Sequence, residues 1–252
     1  SDLGSAGNSA RVWDATNGRA ITPRLRHHYA CSSVVFSPDG RTLITGGHDG
    51  VTRRWDLPSG LPAAAPILHR EAVIGSAHCP DGVKLLVVNH PWNDRSNPRG
   101  GTARLWDLEP RGRRPLRFAD PLAGTASSVA WSPDGGMWVG NGVSGGLVMQ
   151  VGNEVPFALP GSKIKGWARG MGFLPDGDRF LVVSTTGEYS LWSAAERRRI
   201  FGPVEIGSVE SVRLFPDGER VVIGLTSGEV AVREVATAEV LVNLPAHRSE
   251  ER

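Results

Sequence analysis

A Pro-Asp-Gly turn that returns five times sets the tightest limit on how this chain can fold. It occurs as Ser37-Pro38-Asp39-Gly40, Cys79-Pro80-Asp81-Gly82, Ser132-Pro133-Asp134-Gly135, Leu174-Pro175-Asp176-Gly177 and Phe215-Pro216-Asp217-Gly218. The aspartates are separated by 42, 53, 42 and 41 residues, and extra residues around 90–100 and 109–115 account for the long interval. Pro presets φ at the second turn position, Asp bonds its own backbone, and Gly takes the left-handed position that closes a bulged loop. One such turn is a weak signal. Five in register define a repeat.

Both flanks of each turn read as strands. Before it, apolar residues alternate: Val34/Phe36, Val129/Trp131, Met171/Phe173 and Val212/Leu214. After it comes a short continuous apolar run, such as Leu85-Leu86-Val87-Val88 or Phe180-Leu181-Val182-Val183. A Gly-rich turn then leads to a third strand, which ends at Trp13-Asp14, Trp55-Asp56, Trp106-Asp107, Val151-Gly152, Trp192-Ser193 or Arg233-Glu234. A further turn, Asn17-Gly18 or Ser59-Gly60, opens a fourth. Four strands per unit of about 42 residues predict an all-β fold, a β-propeller of four-stranded antiparallel blades. One such sheet has two apolar faces and shields both only between neighbours.

The predicted domain is 1–252, with a partial blade at 1–28 and complete blades at about 29–70, 71–122, 123–164, 165–206 and 207–247. The first holds only the last two strands of a blade, at Ala10–Trp13 and roughly Ala20–Leu25. The charged tail from Pro245 to Arg252 is too short to supply the missing pair. The chain also starts at Ser1 without Met. The expectation is a fragment of a larger ring that continues past Arg252.

The segments FSPDGRTLITGGHDGVTRRWD (36–56) and GGTARLWD (100–107) resemble the WD-repeat family, in a pattern that runs along essentially the whole chain. The resemblance implies that a His, a Ser/Thr, an Asp and the Trp form a hydrogen-bonded chain in each blade. His27, Thr45, Asp49 and Trp55 match at every position. The next blade has His69 and Trp106 but Gly100 in place of Asp, and later blades hold Gly145, Thr186 and Ser227 there and lack the His. Those blades are expected to rely on packing. The SPDG turns and WDxxxG endings are similar to those of large bacterial proteins, where such arrays follow a Ser/Thr kinase or signalling NTPase domain. That resemblance implies a sensing or docking module, and a cytoplasmic location is the separate expectation.

Charge favours no particular partner. The net charge is +2 with a pI near 8.8, so neither nucleic acid nor an anionic membrane is indicated. No apolar run approaches the length of a membrane span, and no secretory signal is visible. Cys31 and Cys79 lie in different repeats without CxxC spacing, so neither a disulfide nor a metal framework is expected.

Candidate sites follow from departures from the repeat. The insertion at 90–100 carries Trp92, Arg95 and Arg99, a composition found at interface hot spots; with His48 these are the predicted partner-binding residues. A tolerated surface insertion, or Trp92 folded back on its own blade, is the competing reading. His90 with Asp94 offers too few ligands for a metal. Gly140-Asn141-Gly142-Val143-Ser144-Gly145 has the form GxGxxG, but a strand, Leu147–Val151, follows it where a dinucleotide site needs a helix. Arg111, Arg113 and Arg114, and Arg197-Arg198-Arg199, are read as charges guarding exposed edges rather than phosphate sites. Arg54 and His78 stand where sister blades have Leu105 and Phe36, as altered core positions or channel-facing polar groups. No HExxH motif occurs and no paired carboxylate recurs, so neither catalysis nor a cofactor is expected. The expected function is a non-catalytic protein-interaction scaffold. The alternative is a small-molecule-binding or enzymatic propeller that uses its central channel.

Overall fold

The computed structural model describes residues 8–90, 102–108, 115–116, 128–141, 146–152 and 157–246. Among them there is no helix, and strands account for all regular structure. Five four-stranded antiparallel sheets follow one another, each built from four consecutive strands, the blades of a β-propeller. The chain divides into two compact units, 1–126 and 127–252.

The first unit opens with β1 (Ser9–Ala10) and β2 (Leu25–Arg26), paired through two residues each, with one isolated bridge between Trp13 and Ala20. The strands expected at 10–13 and 20–25 are thus shorter, and Trp13 is exposed. The first full blade holds β3 (Cys31–Phe36), β4 (Thr42–Gly47), β5 (Val51–Asp56) and β6 (Ile67–Leu68). The second holds β7 (Ala72–His78), β8 (Lys84–His90), β9 (Thr102–Asp107) and β10 (Pro115–Leu116). Ile44, Val73, Leu85, Val87 and Trp106 form the core between them. Two hydrogen bonds bridge the same junction: Ser32 Oγ donates to the Val73 carbonyl, and Ser33 Oγ lies 2.6 Å from Ser76 Oγ.

The second unit holds three blades. They are β11 (Val129–Trp131), β12 (Met137–Asn141), β13 (Leu147–Val151) and β14 (Phe157–Ala158); β15 (Ala168–Phe173), β16 (Arg179–Ser184), β17 (Glu188–Ser193) and β18 (Arg198–Glu205); and β19 (Val209–Leu214), β20 (Arg220–Leu225), β21 (Val230–Glu234) and β22 (Val240–Leu244). Strand β16 shows why a stacked blade needs a continuous apolar run. Its alternate residues Phe180 and Val182 pack with Val139, Met149 and Trp192, whereas Leu181 and Val183 join Val212, Val221 and Ile223. Each such side chain contributes about 1.5–3 kcal/mol on burial. Gly170 makes the second junction possible, since a Cβ there would lie 2.4 Å from Val212 Cβ.

The last blade departs from this pattern. In β20, Val221 and Ile223 are buried while Val222 is only half-buried, so one face is covered. All five residues of β22 are exposed. Nor does every blade carry a buried Trp at the end of its third strand. Trp55 is half-buried, the third blade carries its buried Trp138 on the second strand, and the fifth has Arg233 at the Trp position.

Candidate functional site

A hydrogen-bonded polar group in the first blade joins two of its strands, the turn between them and the segment that enters the blade. His27 lies just after β2, Thr45 is in the middle of β4, Asp49 forms the β4–β5 turn, and Trp55 is near the end of β5. The turn depends on Gly50, whose φ of 68° suits a residue without a Cβ. Trp55 Nε1 donates to Thr45 Oγ1 at 2.8 Å, and Thr45 Oγ1 lies 2.7 Å from His27 Nε2. The indole nitrogen can only donate, so the hydroxyl proton passes to Nε2 and leaves Nδ1–H for Asp49 Oδ1, at 3.2 Å. Asp49 Oδ2 takes the His28 backbone N–H at 3.1 Å and Arg53 Nη1 at 2.8 Å. Arg53 Nη1 also lies 2.7 Å from His27 Nδ1. Both nitrogens carry protons aimed at one carboxylate, so this is crowding of two donors rather than a bond between them.

Burial pushes His27 below its usual range, against the opposing pull of Asp49. For Asp49, burial favours the neutral acid, but hydrogen bonds from His27, Arg53 and the His28 amide together outweigh it and hold the carboxyl low. The site therefore holds a neutral imidazole against an ionised carboxylate. That arrangement ties strands together and leaves no free nucleophile or base.

The sister blades solve the same problem with other atoms. In the second, Val87 takes the register of Thr45, and Trp106 Nε1 is buried without a partner among the described residues. His69 Nε2 turns instead to Thr52 Oγ1 of the preceding blade, at 2.9 Å, and its ring meets Trp106 edge-on at 5.3 Å. In the third, Trp138 Nε1 donates to Gln150 Oε1 at 2.7 Å. In the fourth, Thr186 at the Asp position donates to the Lys165 carbonyl, while Glu188 Oε2 takes the Lys165 amide at 2.8 Å, as Asp49 takes that of His28. Trp192 Nε1 donates to Ser190 Oγ at 3.0 Å. These blades keep hydrogen-bonded polar groups where packing alone was expected. Sequence reading missed Glu188 because it looked for the carboxylate at position 186; an acid two residues on was the available signal. Arg53, four residues after Asp49, was a similar signal.

Of the four predicted partner-binding residues, His48 alone lies among the described residues. His48 is half-buried in the β4–β5 turn, with its backbone N–H on the Ala30 carbonyl at 2.8 Å. Trp92, Arg95 and Arg99 lie outside the described residues, as do Asp94, Gly100, Gly145, Arg111, Arg113 and Arg114. Strand β13 does follow the Gly140–Gly145 segment. Among the described residues, no three His, Cys, Asp or Glu side chains cluster as a metal site. Cys31 and Cys79 are free thiols. The Arg197–Arg199 cluster is occupied locally: Arg197 lies over Phe157 at 4.4 Å, Arg198 pairs with Glu196, and Arg199 lies over Trp192 at 5.0 Å. Arg54 and His78 come together in one groove in the first unit.

The part of the first unit that carries the indole-to-carboxylate chain is also the part that is similar to a known repeat family. Residues 20–56, which contain all four members of that chain, match the family model of the WD domain, G-beta repeat. The chain is 30% identical over 124 residues to the periodic tryptophan protein 2 homolog of Dictyostelium discoideum, covering 49% of this chain and 13% of that protein. It is 22% identical over 228 residues to telomerase protein component 1 of Mus musculus, covering 90% and 8%. It is 31% identical over 127 residues to the serine-threonine kinase receptor-associated protein of Gallus gallus, covering 50% and 33%. The matches thus span a third or less of these relatives' own lengths. All three are eukaryotic and lend nothing to the expectation of a bacterial source.

Proposed function

We propose that the chain is a non-catalytic scaffold that binds other proteins through the end of its blades where the β4–β5 turn lies. The observation that carries this reading is the use made of its polar chemistry. The His27–Asp49 chain, the Glu188 carboxylate and the Trp138–Gln150 bond are all spent on holding strands together. Turns between strands are then what such a fold offers to solution. The relatives support the reading by their names, one a receptor-associated protein and one a component of telomerase. Strand β8 ends and β9 begins at the end of their blade that corresponds to the β4–β5 turn, with Asn89 opposite Thr102, and the sequence between them carries Trp92. The finer form of the proposal is a docking module within a larger cytoplasmic signalling chain of bacterial type, carried by the SPDG and WDxxxG pattern alone.

The test is affinity capture with the chain and with its Trp92→Ala variant. A set of proteins retained by the first and depleted with the second, at unchanged thermal stability, is the expected result. Identical retained sets would sink the role given to that end, and a large stability loss would assign Trp92 to a core.

A further inference from the structure

Two residues that break the repeat independently meet in one place. By register, Arg54 stands opposite Ile44, where the other blades have Leu105, Met149, Leu191 and Val232. His78 stands opposite Leu85, where they have Phe36, Trp131, Phe173 and Leu214. Both line a groove of about 620 Å³ between the β3–β4 turn and the β7–β8 turn, within the first unit. Its rim carries Asp39 and Asp81, one from each Pro-Asp-Gly turn.

The groove's polar groups are incompletely used. Among the described residues Arg54 has one long hydrogen bond, Nη1 to the Leu108 carbonyl at 3.4 Å, and its Nε is shielded from water without a partner. A guanidinium carries five donors in a planar fork that suits a carboxylate. The His78 Nδ1 contact at 3.0 Å is to the Cys79 carbonyl, which can only accept; Nδ1 therefore holds the proton and Nε2 is left as an acceptor. Asp39 and Asp81 are fixed by their own turns, Asp39 by Ser37 Oγ and the Arg41 amide, Asp81 by the Val83 amide. Inside is a cation short of acceptors; at the rim are two anions.

We propose that this groove docks an extended peptide segment of a partner protein, with an Asp or Glu carboxylate seated on Arg54 and a neighbouring Lys or Arg against Asp39 and Asp81. His78 Nε2 accepts an N–H of the same segment. The charge order, cation within and anions without, selects an acidic residue flanked by basic ones over a simple anion. The proposal rests on the protein-binding reading above but uses the opposite end of the strands from the Asp49 turn.

The experiment uses the full chain and a fluorescein-labelled peptide Gly-Ser-Lys-Glu-Lys-Ser-Gly, with Gln for Glu as control, followed by fluorescence polarisation at low salt. Saturable binding is expected, weakened about tenfold or more by Arg54→Leu or by the Gln peptide, because each removes the charge-assisted pair. Arg54→Leu installs the sister residue, so its denaturation midpoint should hold or rise. No saturable binding, equal binding by Arg54→Leu, or equal binding of the Gln peptide overturns the proposal. So does a fall in that midpoint, which would make Arg54 a structural residue. Trp92→Ala should leave peptide binding unchanged. Partner capture that depends on Trp92 without peptide binding would refute the groove alone; peptide binding without such capture would refute the other surface alone.

Discussion

Thr45 is the hinge atom of the first blade's polar chain, and its replacement by Val is the sharpest test of how that chain stabilises the fold. The two side chains have nearly the same shape, so Thr45→Val leaves no cavity in this fully buried site. What disappears is one oxygen, at 2.7 Å from His27 Nε2 and 2.8 Å from Trp55 Nε1. Two hydrogen bonds contribute about 0.5–1.5 kcal/mol each, and a buried group left unpaired costs about 1–3 kcal/mol. His27 carries most of that penalty because it is buried, whereas Trp55 is half-buried and regains some solvent. The expected loss is about 2–4 kcal/mol. In urea, with a slope of about 1–3 kcal/mol per molar, the midpoint followed by Trp fluorescence should fall by about 1 M or more. The second blade supplies the reverse experiment. Val87 occupies the matching register beneath the unpaired Trp106 Nε1, so Val87→Thr should return about 0.5–1 kcal/mol. A Thr45→Val midpoint within about 0.2 M of the parent would refute the argument. So would strong destabilisation by Val87→Thr.

Acid should weaken the second blade. Burial, aided by the charge of Arg104, pushes His69 down to about 4 from an ordinary 6.5. The unfolded chain therefore takes up a proton before the folded one does, and stability present above pH 6.5 is lost as the pH falls towards 4. The loss is at most about 3 kcal/mol, reduced by the ring's partial exposure, and His69→Phe should flatten the melting temperature against pH over that window. Gly170→Ala should cost about 1–3 kcal/mol, because the new methyl would force β15 from β19; an unchanged denaturant midpoint would show that Val212 can yield. At the turn into the fourth strand, Gly18 has φ 68° with open space around it, so Gly18→Ala should cost about 1 kcal/mol in a melting experiment. Ala238 holds the same turn position at φ 60°, and Ala238→Gly should be nearly neutral, relief of the backbone offsetting the lost buried methyl.

The blade count and strand order were legible because five Pro-Asp-Gly turns are local chemistry, independent of distant contacts. The His27–Trp55 set was equally visible, since all four residue types survive at their spacing. The substitutes were not. Glu188 does the work of Asp49 from two residues further along, and Gln150 answers a Trp that has moved to the neighbouring strand. Such exchanges preserve a hydrogen bond without preserving a position, and only the strand register reveals them. Arg54 and His78 stood out singly as misplaced polar residues. Their meeting was hidden because they are contributed by different blades.

The bond from His69 to Thr52 has a consequence for how the first unit comes apart. In the third blade the tie from Trp138 to Gln150 stays within one sheet, and such a sheet could in principle fray by itself. Here His69, which leads into the second sheet, takes a hydroxyl partner across the seam, and the Ser33–Ser76 bridge crosses the same seam. Loss of either sheet strands a polar atom of the other in an apolar wall. Amide protons of β4, β5 and β8 should then exchange with solvent in a single concerted opening, as one cooperative block rather than two beads on a string.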